Sequence, residues 1–170
     1  MSAGSNLDVH LRPYALEDAD RLAVLLNDPD VTAMTATIPF PYARSDAEAY
    51  LSNARNDEGR IVGRAILLGD ELVGGVGLGP RPSGREELGY WVGKAYWGRG
   101  IATRAVALFL GELRNLHLEG PIYAATVRTN EASQKVLIAN GFVFSGEGEC
   151  ITPARDTAKQ PSNNYVLGAL

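Results

Sequence analysis

Apolar and polar residues change their spacing several times along this 170-residue chain, and each change marks a new element. Val9–Pro13 (VHLRP) alternates and stops at a proline, the pattern of a short first strand. From Leu16 to Asn27 the spacing lengthens, and Leu16, Ala19, Leu22, Ala23, Leu25 and Leu26 share one side of a helix. Asn27-Asp28-Pro29 ends it. The stretch Val31–Tyr42, with PFPY at 39–42, has no period, because each proline disfavours helix at the residue before it. Ser45-Asp46-Ala47-Glu48 has the spacing of a capping box, so a second helix is expected over about Asp46 to Ala54.

Three strands follow in the pattern: Arg60–Leu68, Glu71–Leu78 and Glu86–Val92. Gly69-Asp70 makes a tight turn between the first two, and Arg81–Arg85 a looser one before the third. A long helix over about Gly100 to Leu116 repeats Ile101, Ala105, Leu108, Phe109, Leu113 and Leu116 at helical spacing. Pro121–Val127 is an apolar strand, and Asn130 opens another helix that Gly141 closes with Phe142 behind it. Phe142–Gly146 and Tyr165–Leu170 read as closing strands around a polar loop, Pro153–Asn164. The order β-α-α-β-β-β-α-β-α-β-β implies an α/β (α+β) fold, a mixed sheet covered by helices.

Composition narrows this picture. With 45% hydrophobic and 21% charged residues the chain can bury a full core, and no linker or repeat divides it. Residues 1–170 are therefore expected to form a single domain. A net charge of -4 and a pI near 5.2 argue against a nucleic-acid partner. The single Cys150 leaves no internal disulfide, and His10 and His117 offer no metal-ligand spacing, so no metal is expected. Residues 1–8 lack a basic-then-apolar leader and no apolar run suggests a membrane partner; the expected compartment is cytoplasmic.

The candidate chemistry lies in YWVGKAYWGRGIATRAV, residues Tyr90 to Val106. Glycine inside a helix costs up to ~1 kcal/mol relative to alanine, yet Gly98 and Gly100 stand where the long helix must begin. A helix start exposes unpaired N–H groups and the positive end of the dipole, a ready anion site. Bare glycines let a phosphate reach those donors, and Arg99 and Arg104 add charge. The spacing is not that of a P-loop, because no G-x-x-x-x-G-K-[ST] occurs. A glycine turn that only redirects the chain would also look like this.

Trp97-Gly98-Arg99-Gly100-Ile101-Ala102 resembles the pyrophosphate signature of the GNAT superfamily of N-acetyltransferases, written Q/R-x-x-G-x-G/A, without a Gln or Arg ahead of the glycines. ELGYWVGKAYWGRGIATRAV, then Asn130-x-x-Ser133-x-x-Val136-Leu137 and Asn140-Gly141-Phe142, looks more closely like its RimJ/RimL branch. That resemblance spans about Val9 to Phe142. It implies a mostly antiparallel sheet of about seven strands with about four helices. It also implies acetyl-CoA as acetyl donor. Trp91 and Val92 would be a splayed strand end meeting the pantetheine arm, and Gly98, Arg99, Gly100, Ile101, Ala102 and Thr103 would wrap the pyrophosphate. Asn130 would contact the cofactor and Ser133 would face the thiol. Asn130 is equally a helix N-cap in any protein, and a serine in a first turn is unremarkable.

Acetyl transfer to an amine needs a neutral nitrogen, a polarised thioester carbonyl and a partner for the departing thiolate. Main-chain N–H groups near Val92 could polarise the carbonyl, and the Ser133 hydroxyl could serve the thiolate. Glu87, on the strand face of Gly89 and Trp91, is the first candidate base, though a surface glutamate would look the same. The acceptor is a small-molecule or peptide amine, with PFPY and Pro153–Asn164 as its expected walls. Protein N-termini, polyamines and amine antibiotics stay open, as do a homodimer and a non-catalytic acetyl-CoA-binding module.

Overall fold

The structure, a computed structural model, describes residues 7–55, 63–80, 84–116, 120–153 and 156–169. Among them, seven strands form one sheet: β1 (Val9–Arg12), β2 (Gly63–Leu68), β3 (Glu71–Pro80), β4 (Glu86–Val92), β5 (Ile122–Val127), β6 (Val143–Thr152) and β7 (Asp156–Leu167). Their order across the sheet is β1-β2-β3-β4-β5-β7-β6. Neighbours run antiparallel except β4 and β5, which are parallel and meet at one register pair, Glu87 opposite Tyr123.

Helices cover both faces. The helices are α1 (Ala19–Leu26), α2 (Pro29–Thr32), α3 (Arg44–Arg55), α4 (Ile101–Asn115) and α5 (Glu131–Ala139). Strand alternation sends Ala65 and Leu67 to one core, with Leu22 and Leu26 of α1 and Ala47 and Leu51 of α3. Ile66, Val73, Leu88 and Ile122 join the other, under Ile101, Ala105, Phe109 and Leu113 of α4 and Leu137 of α5. Burying each such Leu or Phe contributes ~1.5–3 kcal/mol, so the spacing of these residues decides which face each helix takes. Among the described residues no helix is long and apolar enough to cross a membrane.

Several expected boundaries move, each for a local reason. The helix expected from Leu16 opens as a 3-10 turn, Leu16–Asp18. Asp18 there accepts the Ala15 N–H at 2.8 Å and both Arg12 guanidinium nitrogens at 2.8 Å. Burial alone would raise the Asp18 pKa, but the bonds from Arg12 and Ala15 outweigh it and hold the carboxyl below its ordinary value. Ser45 is not a cap: α3 starts at Arg44, and it is the Asp46 carboxylate that reaches back to the Ala43 N–H at 2.7 Å. The aperiodic stretch after Asn27 contains α2, started by Pro29 in the first turn and by Asp28, which accepts the Asp30 N–H at 2.9 Å. The described α-helices therefore number five, α2 being the one the sequence pattern does not show.

The largest correction falls on Pro153–Asn164, read as a loop. Most of it is β7, which pairs with both β5 and β6. Its ladder satisfies the backbone whatever the side chains, and Ser162 is buried within it. Pro161 lies one residue beyond the last pair with β5, Val127 opposite Ser162, where its carbonyl accepts the Arg128 N–H at 2.9 Å. The Gly141 cap stands as expected: its φ is 85°, and the Phe142 N–H returns to the Leu137 carbonyl at 3.1 Å. Residues 60–62 of the expected strand, 81–83 of the expected turn and His117 lie outside the described residues.

Candidate active site

The site begins where β4 and β5 part. The Gly93 N–H donates to the Val73 carbonyl at 2.8 Å, continuing the β3–β4 ladder past Val92. Antiparallel hydrogen bonds alternate along a strand, so Tyr90 and Val92 turn their N–H and C=O groups away from β3. On that side β5 has diverged, because the parallel pairing stops at Glu87 and Tyr123. The Val92 carbonyl is taken by the Trp97 indole N–H at 2.6 Å, which ties the following loop to the strand end. The Tyr90 and Val92 N–H groups are left aimed into the gap.

Beneath this strand end β3 carries Gly74 and Gly75, and each gives way to a neighbour. A Cβ on Gly75 would lie 2.1 Å from the Tyr14 hydroxyl and 2.7 Å from the Trp91 indole nitrogen. A Cβ on Gly74 would lie 2.4 Å from the Trp91 carbonyl oxygen. The end of β4 is therefore seated directly on bare β3 backbone.

Beyond Trp97 the chain turns through Gly98 and Gly100, whose φ angles of 73° and 77° are left-handed. Gly100 is the N-cap of α4 and supplies no side chain to the helix start. The first helical bond shown there runs from the Arg104 N–H to the Gly100 carbonyl at 3.1 Å, so the N–H groups of Ile101, Ala102 and Thr103 precede it. The first turn holds no acidic residue, and Arg99 and Arg104 are exposed beside it. A Cβ on Gly98 or Gly100 would meet no protein atom within 4 Å. Unsatisfied donors, a positive dipole end and cleared space suit a pyrophosphate.

The third wall is the start of α5. The Asn130 side chain accepts the Ser133 N–H at 3.1 Å, so it acts as the helix cap. The Ser133 hydroxyl oxygen lies 2.7 Å from the Tyr90 hydroxyl, which also reaches the Ser133 carbonyl at 3.0 Å. Burial pushes the Tyr90 phenol up to about 12, with the Ser133 hydrogen bond pulling the other way. Asn140, at the far end of α5, donates to the Thr103 carbonyl at 3.2 Å and so braces α5 against the first turn of α4.

Of the residues singled out from sequence, Val92, Gly98 to Thr103 and Ser133 gather around this gap. Trp91 lies on this strand end, but alternation turns its N–H and C=O towards β3, and its side chain packs into the core under α1 and α3. Glu87 stands at the point of divergence, and alternation puts it on the face of Trp91, opposite Tyr90 and Ser133. The two catalytic candidates thus approach the gap from opposite faces of the sheet.

Comparison with known proteins places this arrangement. Residues 8–143 match the family described as acetyltransferase (GNAT) domain. The chain belongs to the GNAT acetyltransferases. It is 34% identical over 144 residues to the uncharacterized N-acetyltransferase p20 of Bacillus licheniformis, covering 81% of this chain and 79% of that protein. Its fold is shared by Mycobacterium smegmatis RimJ in complex with CoA-disulfide, with a TM-score of 0.81 and 24% identity. That match covers 94% of this chain and 81% of RimJ. The fold is shared too by RimL, a ribosomal L7/L12 alpha-N-protein acetyltransferase in complex with coenzyme A. There the TM-score is 0.80 and the identity 16%, covering 96% of this chain and 95% of the other.

Two residues of this GNAT acetyltransferase escaped the sequence reading. Tyr90 reads as core or pocket wall, yet it is the residue that touches Ser133. A tyrosine on the same apolar face as Leu88 and Val92 needs a partner for its hydroxyl, and that need is a usable signal. Trp97 reads only as the place where the glycine signature departs from its usual form, and nothing in its spacing reveals the bond to Val92.

Proposed function

We propose that this GNAT acetyltransferase uses acetyl-CoA to acetylate a primary amine, the α-amine of a protein N-terminus, by direct attack in a ternary complex. The observation that carries this reading is the uncapped start of α4, cleared by Gly98 and Gly100, beside the gap between β4 and β5. The N–H groups from Gly100 to Thr103, with Arg99, would hold the pyrophosphate. The backbone of Val92, with Asn130, would hold the pantetheine arm along the gap. Bound there, acetyl-CoA would supply the activated acetyl group.

The chain's own groups then divide the work. N–H groups of Tyr90 and Val92 point to where a thioester carbonyl would gather negative charge, and removing one such donor typically costs about 2.7–4 kcal/mol of barrier lowering. The Ser133 hydroxyl would donate a hydrogen bond to the departing thiolate. Glu87, on the other face, would accept the proton of the attacking amine directly or through water. A weak base suffices for an α-amine, since a pKa of ~7.7–8.0 leaves roughly a tenth to a sixth neutral at pH 7; a lysine at ~10.4 is neutral in about one molecule in 2,500. The RimL neighbour is named for α-amino acetylation, which supports the same acceptor class here.

An acceptor panel tests this reading by following release of free CoA from acetyl-CoA. Unblocked peptides are expected to turn over faster than spermidine or an aminoglycoside. Faster turnover of either small amine would move the acceptor class away from protein N-termini. No turnover with any amine, despite acetyl-CoA binding, would leave a non-catalytic binding module.

A further inference from the structure

We propose that Tyr90 is the positioning residue of Ser133, fixing its hydroxyl so that its one proton is directed at the departing sulfur. This rests on the reading that Ser133 serves the thiolate. It follows from counting donors and acceptors around one serine. The Ser133 N–H is already given to Asn130 at 3.1 Å. Its hydroxyl carries one proton, and a serine in a first helical turn can rotate among three staggered positions. In two arrangements that proton is lost to the reaction: it can turn to the Tyr90 oxygen or to nearby backbone.

The Tyr90 hydroxyl narrows the choice through its single proton. It lies 2.7 Å from the Ser133 hydroxyl oxygen and 3.0 Å from the Ser133 carbonyl, so it can donate across both. When Tyr90 donates to the Ser133 oxygen, the Ser133 proton cannot turn to Tyr90 and is left for the sulfur. The phenol sits on β4, two residues from Val92, so the strand that carries the carbonyl-polarising N–H groups also sets the serine. The two ends of the scissile C–S bond are thereby referenced to one rigid element.

In the step itself, the amine lone pair forms the N–C bond and the C–S bond breaks with its electron pair on sulfur. Ser133 keeps its proton and shares it with the sulfur, while Tyr90 keeps its own and shares it with Ser133. The proton leaving the nitrogen passes to Glu87 or water, and balances the one the thiolate later takes up. A phenol pushed up to about 12 stays protonated across the working pH range, so the chain does not titrate.

The test is a cycle of Tyr90→Phe, Ser133→Ala and the double variant, measured in single turnover with an unblocked peptide, alongside acetyl-CoA affinity and Tm. Ser133→Ala is expected to lower the rate about 10- to 100-fold, a hydrogen bond to a charged group being the interaction lost. Tyr90→Phe is expected to lower it about 3- to 10-fold with acetyl-CoA affinity unchanged. In the Ser133→Ala background the Tyr90 change should then alter the rate less than about twofold, since nothing remains for it to position. If the two effects multiply, Tyr90 acts independently of Ser133 and the inference fails. If Tyr90→Phe lowers Tm but leaves the rate intact, the contact is only structural. If Ser133→Ala itself leaves the rate intact, the assignment of Ser133 fails first.

Discussion

Replacing Gly100 with valine is expected to abolish acetyl-CoA binding in a protein that still folds. At Gly100 the backbone has a φ of 77°, a region that costs an ordinary L-residue roughly 1–2 kcal/mol and a β-branched one more. The variant should therefore melt lower than the parent. Strain alone would not abolish binding, and an added Cβ would meet no protein atom within 4 Å. The side chain would instead occupy the space in front of the Ile101, Ala102 and Thr103 N–H groups. Losing two charge-assisted hydrogen bonds of about 1.5–3 kcal/mol each weakens binding by at least about 100-fold. Gly100→Asn separates the two effects, because asparagine tolerates the left-handed region while still carrying a side chain. It should keep most of the stability and still lose affinity, as read by calorimetry with acetyl-CoA. Normal affinity in a folded Gly100→Asn protein would place the phosphates elsewhere.

Gly74→Ala is expected to cripple both stability and turnover, by a route that involves no ligand contact. Its added methyl would stand 2.4 Å from the Trp91 carbonyl oxygen and 3.2 Å from the Val92 Cα, both backbone atoms. Backbone cannot rotate away as a side chain does, so the end of β4 must shift. Overpacking of this kind costs about 1–3 kcal/mol, and a displacement of about 1 Å at reacting groups can cost 100-fold in rate. Gly79→Ala on the same strand is the control, since its Cβ would meet nothing within 4 Å. That change should leave Tm and rate near the parent values. Equal behaviour of the two variants would mean that β4 is not held at the site by its seat on β3.

These two glycines also show how far the sequence carries. Gly98 and Gly100 are legible because an expensive residue at a helix start needs a reason, and the reason is a left-handed backbone with open space in front. The glycines at 74 and 75 lie in a strand, where nothing local tells that Tyr14 and Trp91 press against them. That information is long-range, held in the register of β3 against β4. Helices α1 and α4 were legible from their period, because burial of one face sets it, and α5 from its caps at Asn130 and Gly141. Strand β7 was not, because a strand flanked on both sides is held by ladder bonds, and TAKQPSNN needs no apolar alternation to make them. One of its polar side chains, Asn163, donates to Gln134 of α5 at 3.4 Å. At the site, Ser133 was visible as a spacing and Tyr90 was not, since only the packing of α5 over β4 brings them to 2.7 Å.

Mass spectrometry of one product tests the central claim most directly. The enzyme is incubated at pH 7 with acetyl-CoA and an unblocked peptide that also contains an internal lysine, and the acetylated position is read from fragment ions. Acetyl transfer in the gap between β4 and β5, assisted by only a weak base, predicts a single acetyl group on the α-amine. A matched peptide with its N-terminus already blocked should give no product. Acetylation of the lysine in both peptides, at comparable rates, would contradict the account, because it requires a base able to deprotonate an amine of pKa ~10.4.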